Sequence, residues 1–94
     1  MKKEKIIDIE AHTFLRIFER GAKYGLSYYE CKERIFKTVR LGKLAKRKHL
    51  SKNNITYCNY FSDNLSFYVI CYEKDFGKFI KIQIKTVIIE KGRE

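Results

Sequence analysis

Residues 79–90 read Phe-Ile-Lys-Ile-Gln-Ile-Lys-Thr-Val-Ile-Ile-Glu, and this stretch does most to decide the fold. Its alternating character predicts a long β-strand with two different faces. We expect one face to pack against helices and the other to meet solvent or a ligand, because an antiparallel sheet can be wet on one side. The expected inner face consists of Ile80, Ile82, Ile84, Thr86 and Ile88, and the outer face of Phe79, Lys81, Gln83, Lys85 and Val87.

Two shorter strands are predicted upstream, at residues 55–61 and 65–73, because both stretches are rich in β-branched and aromatic residues. The turn residues Ser62, Asp63 and Asn64 separate them. Residues 74–78, which include Gly77, would form the hairpin loop before the long strand. Together these stretches predict an antiparallel meander of three to four strands.

Two helices are predicted before the meander. Asp8 would cap a first helix that runs to about residue 24, with Glu10 in its first turn. Ser27 and Glu30 have the spacing of a capping box, which opens a second helix, and Gly42 would end it. The fold class is therefore α+β, with two N-terminal helices on a C-terminal antiparallel sheet and a single domain over residues 1–94. The apolar face of the first helix is expected at Ala11, Phe14, Leu15, Phe18 and Ala22.

The composition is strongly basic: 21 Lys and Arg against 11 Asp and Glu give a formal charge of +10. Such a charge attracts polyanions, and nucleic acid is the leading partner class. A membrane surface competes as a polyanion, but we expect no membrane association, because no signal peptide or spanning apolar run occurs.

Cys31, Cys58 and Cys71 are odd in number and lack Cys-x-x-Cys spacing. We expect them to be buried in a cytoplasmic protein, and we expect no metal or cofactor.

His12, Arg16 and Arg20 have helical i, i+4, i+8 spacing and would share one flank of the first helix. Such a stripe can hold a phosphate through its guanidiniums. It can equally be an ordinary solvated helix face.

The segment from Arg40 to Lys52 carries six Lys and Arg residues and no acid. Cations without neighbouring acids favour contact with nucleic acid, although the segment could simply be a solubilising loop. Four tyrosines of the strand region are candidates for base stacking or for the core, namely Tyr57, Tyr60, Tyr68 and Tyr72. The predicted nucleic-acid-binding residues are Arg40, Lys43, Lys46, Arg47, Lys48, His49, Lys52 and Lys81.

Three features of the chain occur together: the run His12-x-x-x-Arg16-x-x-x-Arg20-Gly21, a second helix that ends at Gly42, and a meander with Thr86-Val87 in its last strand. In these features the chain resembles small domains related to RelE-type toxins. The resemblance covers nearly the whole chain. It departs at residues 22–25, which look inserted, and at Ile88, where an aromatic residue is common. It implies a metal-independent ribonuclease with a fold shared with barnase-like and colicin-like ribonucleases, neutralised by an acidic antitoxin-like partner.

Metal-free RNA cleavage needs a base, an acid and cations that stabilise the charged transition state. His12 would serve as the base, and Arg16 and Arg20 would clamp the phosphate. Thr86 would orient a side chain or the substrate by hydrogen bonding. The residue that completes the site from the sheet would be Lys85, Lys81 or a tyrosine such as Tyr72 or Tyr57. Two alternatives stay open: a non-catalytic nucleic-acid-binding module, and an interaction domain for an acidic protein.

Overall fold

The computed structural model describes residues 3–46 and 53–94, which form a mixed sheet of four strands with two helices. The elements are β1 (Glu4–Ile9), α1 (Ala11–Ala22), α2 (Tyr28–Leu41), β2 (Ile55–Tyr60), β3 (Leu65–Asp75) and β4 (Phe79–Lys91). The strand order is β1-β4-β3-β2. The α+β class and the β2-β3-β4 meander are confirmed. The expectation of a purely antiparallel sheet is wrong, because β1 pairs with β4 in parallel.

Strand β1 replaces the predicted start of the first helix. Asp8 lies within β1 opposite Gln83, so it is not a helix cap. Ile7 and Ile9 pack on the main core, and this burial holds the segment extended on the edge of β4. Glu10 occupies the N-cap position of α1 rather than its first turn, and its side chain makes no capping hydrogen bond. That carboxylate is therefore directed elsewhere.

Helix α1 buries a different face from the one expected. Thr13, Ile17 and Gly21 are buried, whereas Leu15 and Phe18 are 70% and 54% exposed. Gly21 allows close approach to α2, because a Cβ built at this position would overlap Cys31 Sγ. The apolar pattern therefore predicted the wrong face. Gly21 and Thr13 are smaller than the expected apolar residues and permit closer contact with α2 and β4.

Helix α2 begins and ends where the sequence predicts. The Ser27 hydroxyl accepts from the backbone N–H of Glu30, and the Glu30 carboxylate accepts from the backbone N–H of Ser27. Gly42 ends the helix in the left-handed conformation, with φ 66°. Cys31, Ile35 and Val39 face the main core, as their spacing requires.

A β-bulge at Lys85 divides β4 into two parts. Ile70 pairs with Thr86 and Cys71 pairs with Ile84, so Lys85 is the extra residue. An extra residue reverses which side chains face the core. Ile82 and Ile84 are buried before the bulge, and Val87 and Ile89 after it. The prediction of one continuous isoleucine face is therefore wrong beyond Ile84.

The two helices cover one face of the sheet and enclose the main core. Its largest members include Ile17, Ile35, Phe67, Ile82 and Ile84, each at most 1% exposed. The opposite face carries a small second cluster of Ala45, Cys58 and Tyr68, against which Ile88 packs. The part of this open face between β1 and β3 bears polar and aromatic side chains, such as Asp8, Gln83 and Tyr72.

Candidate functional site

Glu10 is the centre of a polar group at the junction of β1 and α1. Its Oε2 lies 3.1 Å from His12 Nε2, and its Oε1 lies 3.6 Å from Lys85 Nζ. Gln83 Nε2 also donates to Glu10 Oε1 at 2.6 Å. We call Glu10, His12, Gln83 and Lys85 the Glu10 group. Two of the predicted catalytic residues, His12 and Lys85, thus meet at one carboxylate.

The sequence hypothesis did not assign Glu10 or Gln83 to the site. Glu10 was expected in the first turn of a helix, where its carboxylate would interact with the helix dipole. In the structure it follows a β-strand, and the bulge at Lys85 brings the Lys85 ammonium within reach of it. Alternation along 79–90 places Lys85 and Gln83 on the same face but gives no indication of the bulge. His12 remains accessible, with 67% of its side chain exposed.

Arg20 and Thr86 are a second predicted pair that the structure brings together. Arg20 Nη1 donates to Thr86 Oγ1 at 2.9 Å and also to the carbonyl oxygen of Val87. Arg20 is half-buried, whereas Arg16, one turn earlier on the same flank, is exposed. The stripe therefore runs from solvent at His12 and Arg16 into the edge of the sheet at Arg20.

Helix α1 and the turn after it form hydrogen bonds with the part of the β4 edge that β1 does not cover. β1 pairs with β4 only as far as Ile84. Beyond that point, side chains donate to β4 carbonyl oxygens from α1 and from the turn after it: Thr13 Oγ1 of α1 to Lys85 at 3.4 Å, and Tyr24 Oη of the turn to Ile89 at 3.2 Å. The Arg20 contact with the Val87 carbonyl lies between these two. Arg20 thus has a structural role in addition to its predicted contact with phosphate.

Residues 43–46 of the predicted basic segment lie on the opposite edge of the sheet, beside β2. The backbone N–H of Ala45 donates to the Thr56 carbonyl at 2.9 Å, and the N–H of Cys58 donates to the Lys43 carbonyl at 2.8 Å. These bonds fix Lys43 and Lys46, both exposed, along β2. Arg47, Lys48, His49 and Lys52 lie outside the described residues.

A cleft of about 420 Å³ opens beside Lys43 and Lys46. Arg93 lines it from the C-terminal end of the chain, with its guanidinium carbon 4.6 Å from the centre of the Tyr60 ring. Glu94 lines it too and accepts a hydrogen bond from the backbone N–H of Lys46. We call this the Lys43 cleft. Sequence reasoning missed Arg93, because the contact of residues 92–94, beyond the end of β4, with Lys46 is not visible in the local pattern.

The remaining predicted binding residues occupy other surfaces. Arg40 lies on α2, 6.0 Å from the Phe36 ring, and lines a separate groove with Lys37. Lys81 lies on β4, with Nζ 3.9 Å from Asp8 Oδ2.

Of the four candidate tyrosines, Tyr57 and Tyr68 are buried, which favours the core over base stacking for these two. Burial raises the pKa of the Tyr68 phenol to about 12, and burial together with the hydrogen bond to Glu73 raises that of Tyr57. Tyr60 is half-buried, and Tyr72 is 44% exposed. Only these last two present ring surface to a ligand.

Residues 3–46 and 53–94 contain no cluster of three or more His, Cys, Asp or Glu side chains arranged to hold a metal ion. Within the same ranges, neither helix is long and apolar enough to cross a membrane. Comparison with protein-family models, with curated proteins and with solved structures found no match for this chain.

Proposed function

We propose that this chain binds single-stranded RNA through its phosphates, with the Lys43 cleft as the principal contact. The observation that carries the proposal is the convergence of Lys43, Lys46 and Arg93 on one cleft in a chain of net charge +10. Among the residues that the structure describes, Glu94 is the one acid that lines it. Cations that face a cleft with little opposing charge attract phosphates and release counterions when they bind.

The other residues of the Lys43 cleft favour a single strand over a duplex. Asn59 supplies an amide that can bond a base edge, and Tyr60 supplies a ring beside the Arg93 guanidinium. Unpaired bases can stack on such rings, whereas bases inside a duplex cannot. Cys31, Cys58 and Cys71 are all free and buried, which suits a reducing compartment, so the proposal includes a cytoplasmic location.

The proposal extends to a RelE-like relationship. Two features support it: the helices precede the antiparallel β2-β3-β4 unit, and His12, Arg16 and Arg20 share one flank of α1.

Fluorescence anisotropy with a labelled 20-nucleotide single-stranded RNA tests the binding. We expect the logarithm of the affinity to fall linearly with the logarithm of salt concentration, with a slope of about −0.7 per phosphate contact. Polyglutamate serves as the competitor that distinguishes an acidic protein partner. RNA that stays bound in excess polyglutamate supports the proposal. The proposal is refuted if the protein does not bind RNA, or if polyglutamate displaces the RNA when the two carry equal concentrations of negative charge.

Metal-independent cleavage of that RNA is a second candidate function, and the Glu10 group favours it. Glu10 Oε2 is 3.1 Å from His12 Nε2, which leaves Nδ1 as the ring nitrogen that exchanges a proton with substrate. His12 would take the proton from a 2′-hydroxyl as its oxygen attacks phosphorus and the bond to the 5′-oxygen breaks. The products would be a 2′,3′-cyclic phosphate and a 5′-hydroxyl. A solvent water would protonate the departing 5′-oxygen, and the hydroxide left behind would take the proton from His12. Lys85 would stabilise the charge on phosphorus-bound oxygens.

Incubation of the RNA with repurified protein in EDTA tests this second function. Cleavage that depends on His12 and spares a 2′-deoxy substrate supports it. Intact RNA after prolonged incubation with wild-type protein rules it out, while the binding proposal stands on its own measurement.

A further inference from the structure

A second cleft, of about 300 Å³, lies on the open face of the sheet beside the β3-β4 hairpin. The side chains of β3 and β4 that line it belong to the face opposite the helices, because their neighbours Cys71, Ile82 and Ile84 are buried in the main core. We call it the Tyr72 cleft. Its lining residues are Tyr72, Lys74, Phe76, Lys81 and Gln83.

Two lysines face each other across this cleft. Lys74 is the direct cross-strand partner of Lys81. Like charges directly opposite each other destabilise a sheet. The compensation is weak: Lys81 Nζ is 3.9 Å from Asp8 Oδ2, and Lys74 Nζ lies 5.3 Å from the centre of the Phe76 ring. An anion bound between the two ammonium groups would relieve their repulsion.

Exposed aromatic rings adjoin the lysine pair. Tyr72, the cross-strand partner of Gln83, is 44% exposed, and Phe76 is 48% exposed. Phe76 stacks on Phe79 with ring centres 5.0 Å apart, which holds it in place. Aromatic rings next to cations, with an amide beside them, match the needs of an unpaired nucleobase attached to its phosphate.

Gln83 connects the Tyr72 cleft to the Glu10 group. It lines the cleft, and its Nε2 donates to Glu10 Oε1 at 2.6 Å. Lys85 Nζ contacts the same carboxylate oxygen at 3.6 Å. The Tyr72 cleft and the Glu10 group therefore adjoin each other through Gln83.

We propose that the Tyr72 cleft is a nucleotide subsite for single-stranded RNA, in which a base stacks on Tyr72 and a phosphate lies between Lys74 and Lys81. The assignment rests on the proposed RNA binding and adds to it a place for one base. It gives the Glu10 group a neighbouring nucleotide, whereas the Lys43 cleft lies at the β2 edge of the sheet.

Anisotropy with a labelled eight-nucleotide RNA and with an abasic ribose-phosphate strand of equal length tests the subsite. We expect Tyr72→Ala to weaken RNA binding about tenfold or more, and to leave the weaker binding of the abasic strand unchanged. Tyr72→Phe keeps the ring and should bind RNA within about twofold of wild type. Tyr29→Ala is the matched control, because Tyr29 is 67% exposed on α2, away from the cleft.

The lysine pair provides an independent readout. Lys74→Gln with Lys81→Gln should weaken RNA binding and reduce the steepness of its salt dependence, while the double variant resists urea at least as well as wild type because the repulsion is gone. Equal RNA affinity of wild type and Tyr72→Ala refutes the subsite and leaves the RNA-binding proposal intact. Absence of wild-type binding to either strand overturns both.

Discussion

Arg20 Nη1 donates a hydrogen bond to Thr86 Oγ1 at 2.9 Å, and the same nitrogen donates to the carbonyl oxygen of Val87. This contact joins α1 to β4 beyond Ile84, where β1 no longer pairs with β4. A residue of the stripe that suggested phosphate chemistry is thus also part of the framework that holds the helix on the sheet.

Arg20→Ala should lower the free energy of unfolding by about 1.5–3 kcal/mol, because hydrogen bonds from a charged donor to a partly buried carbonyl are lost. Arg16→Ala is the matched control: Arg16 is exposed on the same flank, and its loss should cost less than about 0.5 kcal/mol. Urea unfolding of both variants checks the difference. Equal stability of the two would show that the edge contact contributes nothing.

Gly21→Ala should destabilise the protein although alanine favours helix. A Cβ at position 21 would overlap Cys31 Sγ, and overpacking of a buried contact costs about 1–3 kcal/mol against about 1 kcal/mol gained in helix propensity. The double variant with Cys31→Ala should lose less stability than the sum of the two single variants, because the shorter side chain leaves room for the new Cβ. A double-mutant cycle by urea unfolding measures this coupling, and additive effects would contradict the contact.

The Arg34 hydrogen bond lowers the pKa of the Asp63 carboxyl below its ordinary value. A lowered pKa in the folded state adds stability above the ordinary pKa of about 4, and this contribution disappears as the pH falls through the folded-state pKa. Asp63→Asn should therefore cost less than about 1 kcal/mol at pH 7, since the pair is partly exposed, and less still at pH 2. Urea unfolding at the two pH values checks this, and a pH-independent difference would assign the effect to another cause.

Glu10→Gln should reduce any metal-independent cleavage by about 100-fold or more if the carboxylate orients His12 for proton transfer. RNA affinity should stay within about twofold, because the change adds no charge repulsion toward phosphate. Glu19→Gln is the matched control, since Glu19 is exposed on the same helix. Cleavage in EDTA is the readout. Equal rates for Glu10→Gln and wild type would remove Glu10 from the mechanism.

Local signals predicted the meander and α2 well. The Ser27 and Glu30 capping box, Gly42 and the turn at 62–64 act over a few neighbouring residues, so their effect is readable in sequence. β1 was missed because Asp8 and Glu10 resemble helix-start residues, while its pairing with β4 joins residues more than 70 positions apart. Non-local pairing leaves no local periodicity to read.

The candidate site was predicted in part for the same reason. Helical spacing was enough to place His12, Arg16 and Arg20 on one flank of α1. The meeting of His12 and Lys85 at Glu10 depends on β1 and on the bulge at Lys85 together. Neither feature follows from alternation along residues 79–90, so Glu10 and Gln83 emerged only from the three-dimensional arrangement.

RNA affinity as a function of salt, for two variants of equal charge, tests the central claim most directly. The first replaces Lys43, Lys46 and Arg93 with glutamine, and the second replaces Lys5, Lys23 and Lys37, which are exposed and do not line the Lys43 cleft. We predict that the first variant loses most of its affinity. Its plot of log affinity against log salt concentration should be about two units less steep, because each of the three lost phosphate contacts contributes about 0.7. The second should stay close to wild type. Equal losses in both variants would contradict a phosphate site at the Lys43 cleft.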